Sequence, residues 1–160
     1  MVENMKLILF SFTASAGFGI VFRIEKKKLL WAGLGGALTR CAYLFLLEIT
    51  DQRILYTLLA AMFAALYAEI MEMYQKMPST VFLYPAIIPL IPGDLLYNTA
   101  VNLILQDIPE MLSNARNCVL SLAGMSIGFV IISTFTYYRR IYYVSKDIAY
   151  HIMYWQKRKE

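Results

Sequence analysis

The sequence predicts an all-α integral membrane protein: five transmembrane helices, the fourth broken by prolines, followed by a cytoplasmic amphipathic C-terminal helix. Three observations carry this fold class. The 160 residues are 59% hydrophobic and 16% charged, with a mean hydropathy of +0.55, whereas a soluble domain has roughly 45–50% apolar and about 25% charged residues. The charges gather in short clusters between long apolar runs. Five runs of about 20 residues, each the length of a spanning helix, leave no room for a separate soluble domain. The net charge of +4 flanks apolar runs instead of lining a water-exposed face, so it points to the membrane surface and not to nucleic acid.

The spans cover about 5–22, 29–47, 54–74, 81–105 and 118–138, a transmembrane domain over 1–138, with 139–160 as a cytoplasmic aromatic and basic tail. In the first, Ala14-Ser15-Ala16 has the form of a signal cleavage site. The region before it carries one Lys and one Glu, and apolar sequence continues to Phe22, so the run is read as a retained span. Gly17 and Gly19 here, with Gly33, Gly35 and Gly36 in the second span, are helix-packing positions. In the third, Ala60, Ala61, Ala64, Ala65 and Ala68 recur at spacings of 3 and 4 and mark a close helix contact. The connections 23–28, 48–53, 75–80 and 106–117 are short and polar, which makes sequential helices antiparallel neighbours. Counting Lys and Arg gives 11 on one side and 3 on the other. Under the positive-inside rule this puts the N-terminus outside and the C-terminus in the cytoplasm of a multi-pass plasma or inner membrane protein.

In the tail, Ile141, Val144, Ile148, Ile152 and Trp155 fall on one helical stripe. Six of the 12 Tyr lie between Tyr137 and Tyr154. Two readings compete: a helix lying on anionic lipid at the inner leaflet, and a docking helix for a partner chain.

The candidate chemistry centres on 78–98, PSTVFLYPAIIPLIPGDLLYN. Pro85, Pro89 and Pro92 lack backbone N–H groups, so carbonyls four residues earlier lose their helical donors. With Gly93 they predict a broken helix rather than a kink, placed near the middle of a core about 30 Å thick. Broken helices at this depth form substrate and ion sites in secondary transporters. A half-helix starting at Gly93 aims its positive dipole end at the midplane. Asp94 in its first turn either caps that helix or serves as a protonatable carrier site. Tyr97 and Asn98, one turn on, offer hydroxyl and amide contacts.

Arg40, about 17 Å deep, lies level with Asp94 at about 20 Å. The two form a candidate pair that a substrate carboxylate could replace; a purely structural salt bridge is the competing explanation. Glu69, about 8 Å from the inner end of the third span, is read as a proton relay, a cytoplasmic-side gate or a plain interfacial carboxylate. His151 stands alone in the tail, and Cys41 and Cys118 are isolated, so no metal site, cofactor or nucleophile–base set is expected and the chain is not read as an enzyme.

Gly17-Phe18, Val21-Phe22, Leu30-Trp31, Pro78, Phe82, Ile88-Pro89, Pro92-Gly93 and Tyr97 together resemble the small membrane subunit of the threonine/serine exporter family, of the two-component type. The IPLIPG stretch, Ile88 to Gly93, is the most specific part. The resemblance implies secondary export of small hydrophilic metabolites, threonine or serine or a dicarboxylate such as succinate, driven by the proton gradient. Fused members join a first half with a water-soluble portion to a second half similar to this chain, so the resemblance implies a separately encoded larger subunit as partner, or assembly with further copies. Arg40 and Asp94 rest on the physical cost of burying them and not on the resemblance. The rival reading is a non-transporting scaffold subunit whose polar membrane residues only fix helix register.

Overall fold

The computed structural model describes the backbone of residues 2–157 and the side chains of 3–139, 141 and 142. Among them it is helical throughout: α1 (Val2–Val21), α2 (Lys26–Ile49), α3 (Arg53–Gln75), α4 (Thr80–Ile87), a 3₁₀ turn (Ile88–Leu90), α5 (Gly93–Ile104) and α6 (Ile108–Lys157). Among the described residues four helices are long and apolar enough to span a membrane, and the α4–α5 pair, bent by 47°, has the form of a broken span or of a re-entrant loop, which makes four or five spans. The protein is therefore an all-α, multi-pass membrane protein.

Small residues set the helix spacing. The buried face of α3 is Tyr56, Thr57, Ala60, Ala61, Ala64, Ala65, Tyr67 and Ala68, the alanine stripe legible in the sequence. α6 meets it through Gly124 and Gly128. A Cβ on Gly124 would run into the Thr57 hydroxyl and lie 2.5 Å from the Ile54 carbonyl, and one on Gly128 would lie 2.5 Å from the Leu58 carbonyl. Backbones approach this closely only where side chains are missing. In α2, Gly33 and Gly36 receive Phe12 and Ser15 of α1, while Gly35 receives Tyr67, whose hydroxyl donates to the Trp31 carbonyl at 2.6 Å. Gly19 packs against Leu29, whereas Gly17 faces open space and plays no packing part.

The ends of the helices turn without glycine. Arg23, Lys76 and Gln106 adopt left-handed φ of 56°, 53° and 59°, a conformation that favours glycine. The last connection is shorter than the expected 106–117: α6 resumes at Ile108. Pro109 sits in the first turn, where its missing N–H leaves no gap, and the Asp107 carboxylate accepts the Glu110 N–H at 3.4 Å. The backbone of α6 also continues unbroken to Lys157. At about 1.5 Å per residue its 50 residues run roughly 75 Å, far beyond a 30 Å hydrocarbon core. Of the expected tail stripe, the side chains of Val144, Ile148, Ile152 and Trp155 lie outside the described residues.

Candidate functional site

The break is made by the prolines in sequence. Pro85, inside α4, is buried. The Ile88 N–H reaches back only three residues, to the Pro85 carbonyl, which tightens the chain into the 3₁₀ turn. At Pro92, φ −78° and ψ 60° form an inverse γ-turn, in which the Gly93 N–H bonds the Ile91 carbonyl at 2.8 Å. Gly93 itself keeps a negative φ and has nothing within 4 Å of a Cβ position, so the turn rests on Pro92.

This geometry creates an acceptor. In a regular helix the Gly93 N–H would bond the Pro89 carbonyl four residues back. Here it is diverted to Ile91, and the Pro89 oxygen is taken by the Arg40 guanidinium, which donates at 3.3 Å. The bond is part-buried and bridges residues 49 positions apart, and it ties α2 to the break. The Arg40 Nε is buried and has no partner among the described residues. Arg40 also lies over the Tyr43 ring, 5.1 Å from its centroid.

Arg40 and Asp94 line one cavity of about 120 Å³, together with Tyr43, Arg53, Thr57, Ser121 and the turn 89–92. A polar space of this size admits several waters or a small polar solute. Arg40 and Asp94 form no ion pair among the described contacts: Arg40 spends its donor on Pro89, and Asp94 is exposed. Asp94 does not cap its helix either, since Pro92 is the N-cap and no side-chain cap bond forms. The Thr57 hydroxyl donates back to the Arg53 and Ile54 carbonyls, and Ser121 to Asn117, which leaves both oxygens with acceptor capacity toward the cavity. The exposed Tyr97 and Asn98 lie on α5 outside this lining.

Glu69 belongs to a second cavity, of about 230 Å³, shared with Ser79, Ser133, Thr136 and Tyr137. The two cavities lie on opposite sides of a hydrophobic cluster of Ala60, Ala61, Leu90 and Met125, against which Tyr43, Leu46 and Phe129 pack. The order repeats along each element: Thr57, Ala60 and Ala61, then Glu69 on α3, and Ser121, Met125, then Ser133 on α6. Each separation of twelve residues spans about 18 Å.

Sequence reasoning left out Arg53, Tyr43, Thr57 and Ser121 as cavity residues. Arg53 reads as a loop charge and the others as ordinary span residues, and no spacing in the chain brings them to the break. Gly124 and Gly128 did carry a signal, the four-residue spacing of a close helix crossing.

Comparison with curated proteins and with solved structures gives no match. The family described as Threonine/Serine exporter, ThrE, matches residues 7–135, a stretch that takes in α1 from Leu7 onward, α2 to α5, both cavities except Thr136 and Tyr137, and most of the membrane part of α6. That match covers well over half of the 160 residues, and the chain belongs to the threonine/serine exporter family.

Proposed function

We propose that this chain is the smaller subunit of a proton-coupled secondary exporter, and that the cavity at the helix break holds the carboxylate of a threonine- or serine-like amino acid or of a dicarboxylate. The observation that carries this is Arg40: a guanidinium at membrane depth, held in place by the Pro89 carbonyl, with a buried Nε that lacks a partner. A desolvated guanidinium with spare donors is matched by a carboxylate, which accepts two parallel bonds. Asp94 faces the same cavity and suits the substrate ammonium or a proton. Glu69, in the second cavity, is the residue assigned to proton relay on the cytoplasmic side.

The separately encoded larger subunit is supported by the outer surface of α5. Tyr97 and Asn98 are exposed there, outside the cavity lining, and polar groups at membrane depth require protein or a watery cavity beside them. Orientation with the C-terminus in the cytoplasm rests on the 11 to 3 distribution of Lys and Arg.

Export of threonine from cells carrying Arg40→Gln in place of the natural chain tests the reading. Loss of one charge-assisted contact of about 1.5–3 kcal/mol lowers the flux about ten- to hundredfold. Wild-type export by the variant removes Arg40 from the mechanism.

A further inference from the structure

Arg53 has no part in the reading above, yet it opens α3 and lines the same cavity as Arg40. The two guanidiniums are linked by an aromatic ladder. Arg40 lies over Tyr43 at 5.1 Å, Tyr43 meets Tyr56 edge-on at 5.3 Å, and Arg53 lies over Tyr56 at 5.9 Å. Tyr56 is 3% exposed, so the ladder is fixed by packing. A ring face attracts the cation without consuming its N–H donors. Among the described contacts the Arg53 side chain donates no hydrogen bond and forms no ion pair, although Asp51 is two residues away.

Two further features favour an anion at this position. Arg53 stands at the N-terminus of α3, the positive end of the helix dipole, where a cation is disfavoured. The N-cap, Gln52, makes no side-chain cap bond, so the first-turn amides add to the positive field. The charged side chains facing the cavity are Arg40, Arg53 and Asp94, and one further negative charge balances them. Arg40 lies nine residues before the end of α2, about 13 Å along the helix from the α2–α3 connection where Arg53 stands, and under the orientation proposed above Arg53 is the outer of the two cations.

We propose that Arg53 is a second carboxylate-binding position of this cavity, outward of Arg40. It rests on the reading of the Arg40 cavity as the substrate site. The carboxylate it takes is either that of a single substrate on its way out or the second one of a dicarboxylate.

The test is export of threonine and of succinate from cells carrying the full chain as Arg53→Gln, Arg53→Lys or Arg40→Gln. Arg53→Gln lowers flux about tenfold, and Arg53→Lys, which keeps the charge over Tyr56, restores a substantial part. A fall for both substrates identifies a transit position for one carboxylate; a fall for succinate alone identifies the binding of a second. Unchanged flux of both substrates in Arg53→Gln overturns the proposal. So does a loss that Arg53→Lys fails to relieve and that accompanies lowered thermal stability, since Arg53 then only packs against Tyr56. Wild-type flux in Arg40→Gln defeats the underlying site reading separately.

Discussion

Adding a single methyl group to Gly128 sets two terms of opposite sign against each other. Glycine in a helix interior is about 1 kcal/mol less favourable than alanine, so Gly128→Ala gains that much from the backbone. Against it stands the contact with α3. The new Cβ lies 2.5 Å from the Leu58 carbonyl, 3.0 Å from the Ala61 Cβ and 3.2 Å from the Met62 amide. Two of these atoms belong to a backbone held in its own hydrogen-bond ladder, so relief requires α3 and α6 to part by most of an ångström. Overpacking of this kind costs roughly 1–3 kcal/mol, and with rigid neighbours the upper half applies, leaving a net loss of about 1–2 kcal/mol. Gly17 supplies the internal control, because it is exposed and a Cβ there meets nothing within 4 Å. Thermal unfolding of the purified protein in detergent should therefore rank Gly17→Ala at or above wild type and Gly128→Ala below it. If both variants shift stability in the same direction, close α3–α6 packing is not what Gly128 provides.

Other substitutions probe separate links. Tyr67→Phe removes the 2.6 Å bond to the Trp31 carbonyl and should lower stability by about 1 kcal/mol, read as a fall in unfolding temperature. Lys76→Gly relieves the left-handed φ of 53° at the end of α3 and should raise stability by about 1 kcal/mol in the same assay. Glu69→Gln should abolish export driven by an imposed proton gradient while leaving substrate exchange across vesicles intact, if the second cavity relays the proton.

The spans and the break are legible because they depend on local chemistry. Apolar length fixes the helices, and three prolines within eight residues leave no regular helical path through 85–92. The alanine stripe of α3 is legible for the same reason, since its spacing is that of one helical face. Arg40 and Asp94, expected from the sequence to pair, line one cavity but form no ion pair among the described contacts. What decides their separation is the diversion of the Gly93 N–H to Ile91, which exposes the Pro89 carbonyl to Arg40 and is a consequence of a single backbone turn. Arg53 is hidden more deeply. At the start of a span a cation reads as anchored in the interface, and only the packing of α2 against α3 sets Tyr43 and Tyr56 between it and Arg40. The continuous backbone of α6 likewise lacks a sequence mark, because no proline or glycine stands at the expected boundary near 138 to show where the span ends.

The proposed role of the break between α4 and α5 is to present Arg40 to a substrate carboxylate. It is tested most directly by threonine export from cells in which the natural chain is replaced by Arg40→Gln, at matched membrane abundance. Export should fall about ten- to hundredfold with the protein still folded; export at the wild-type rate would rule that role out.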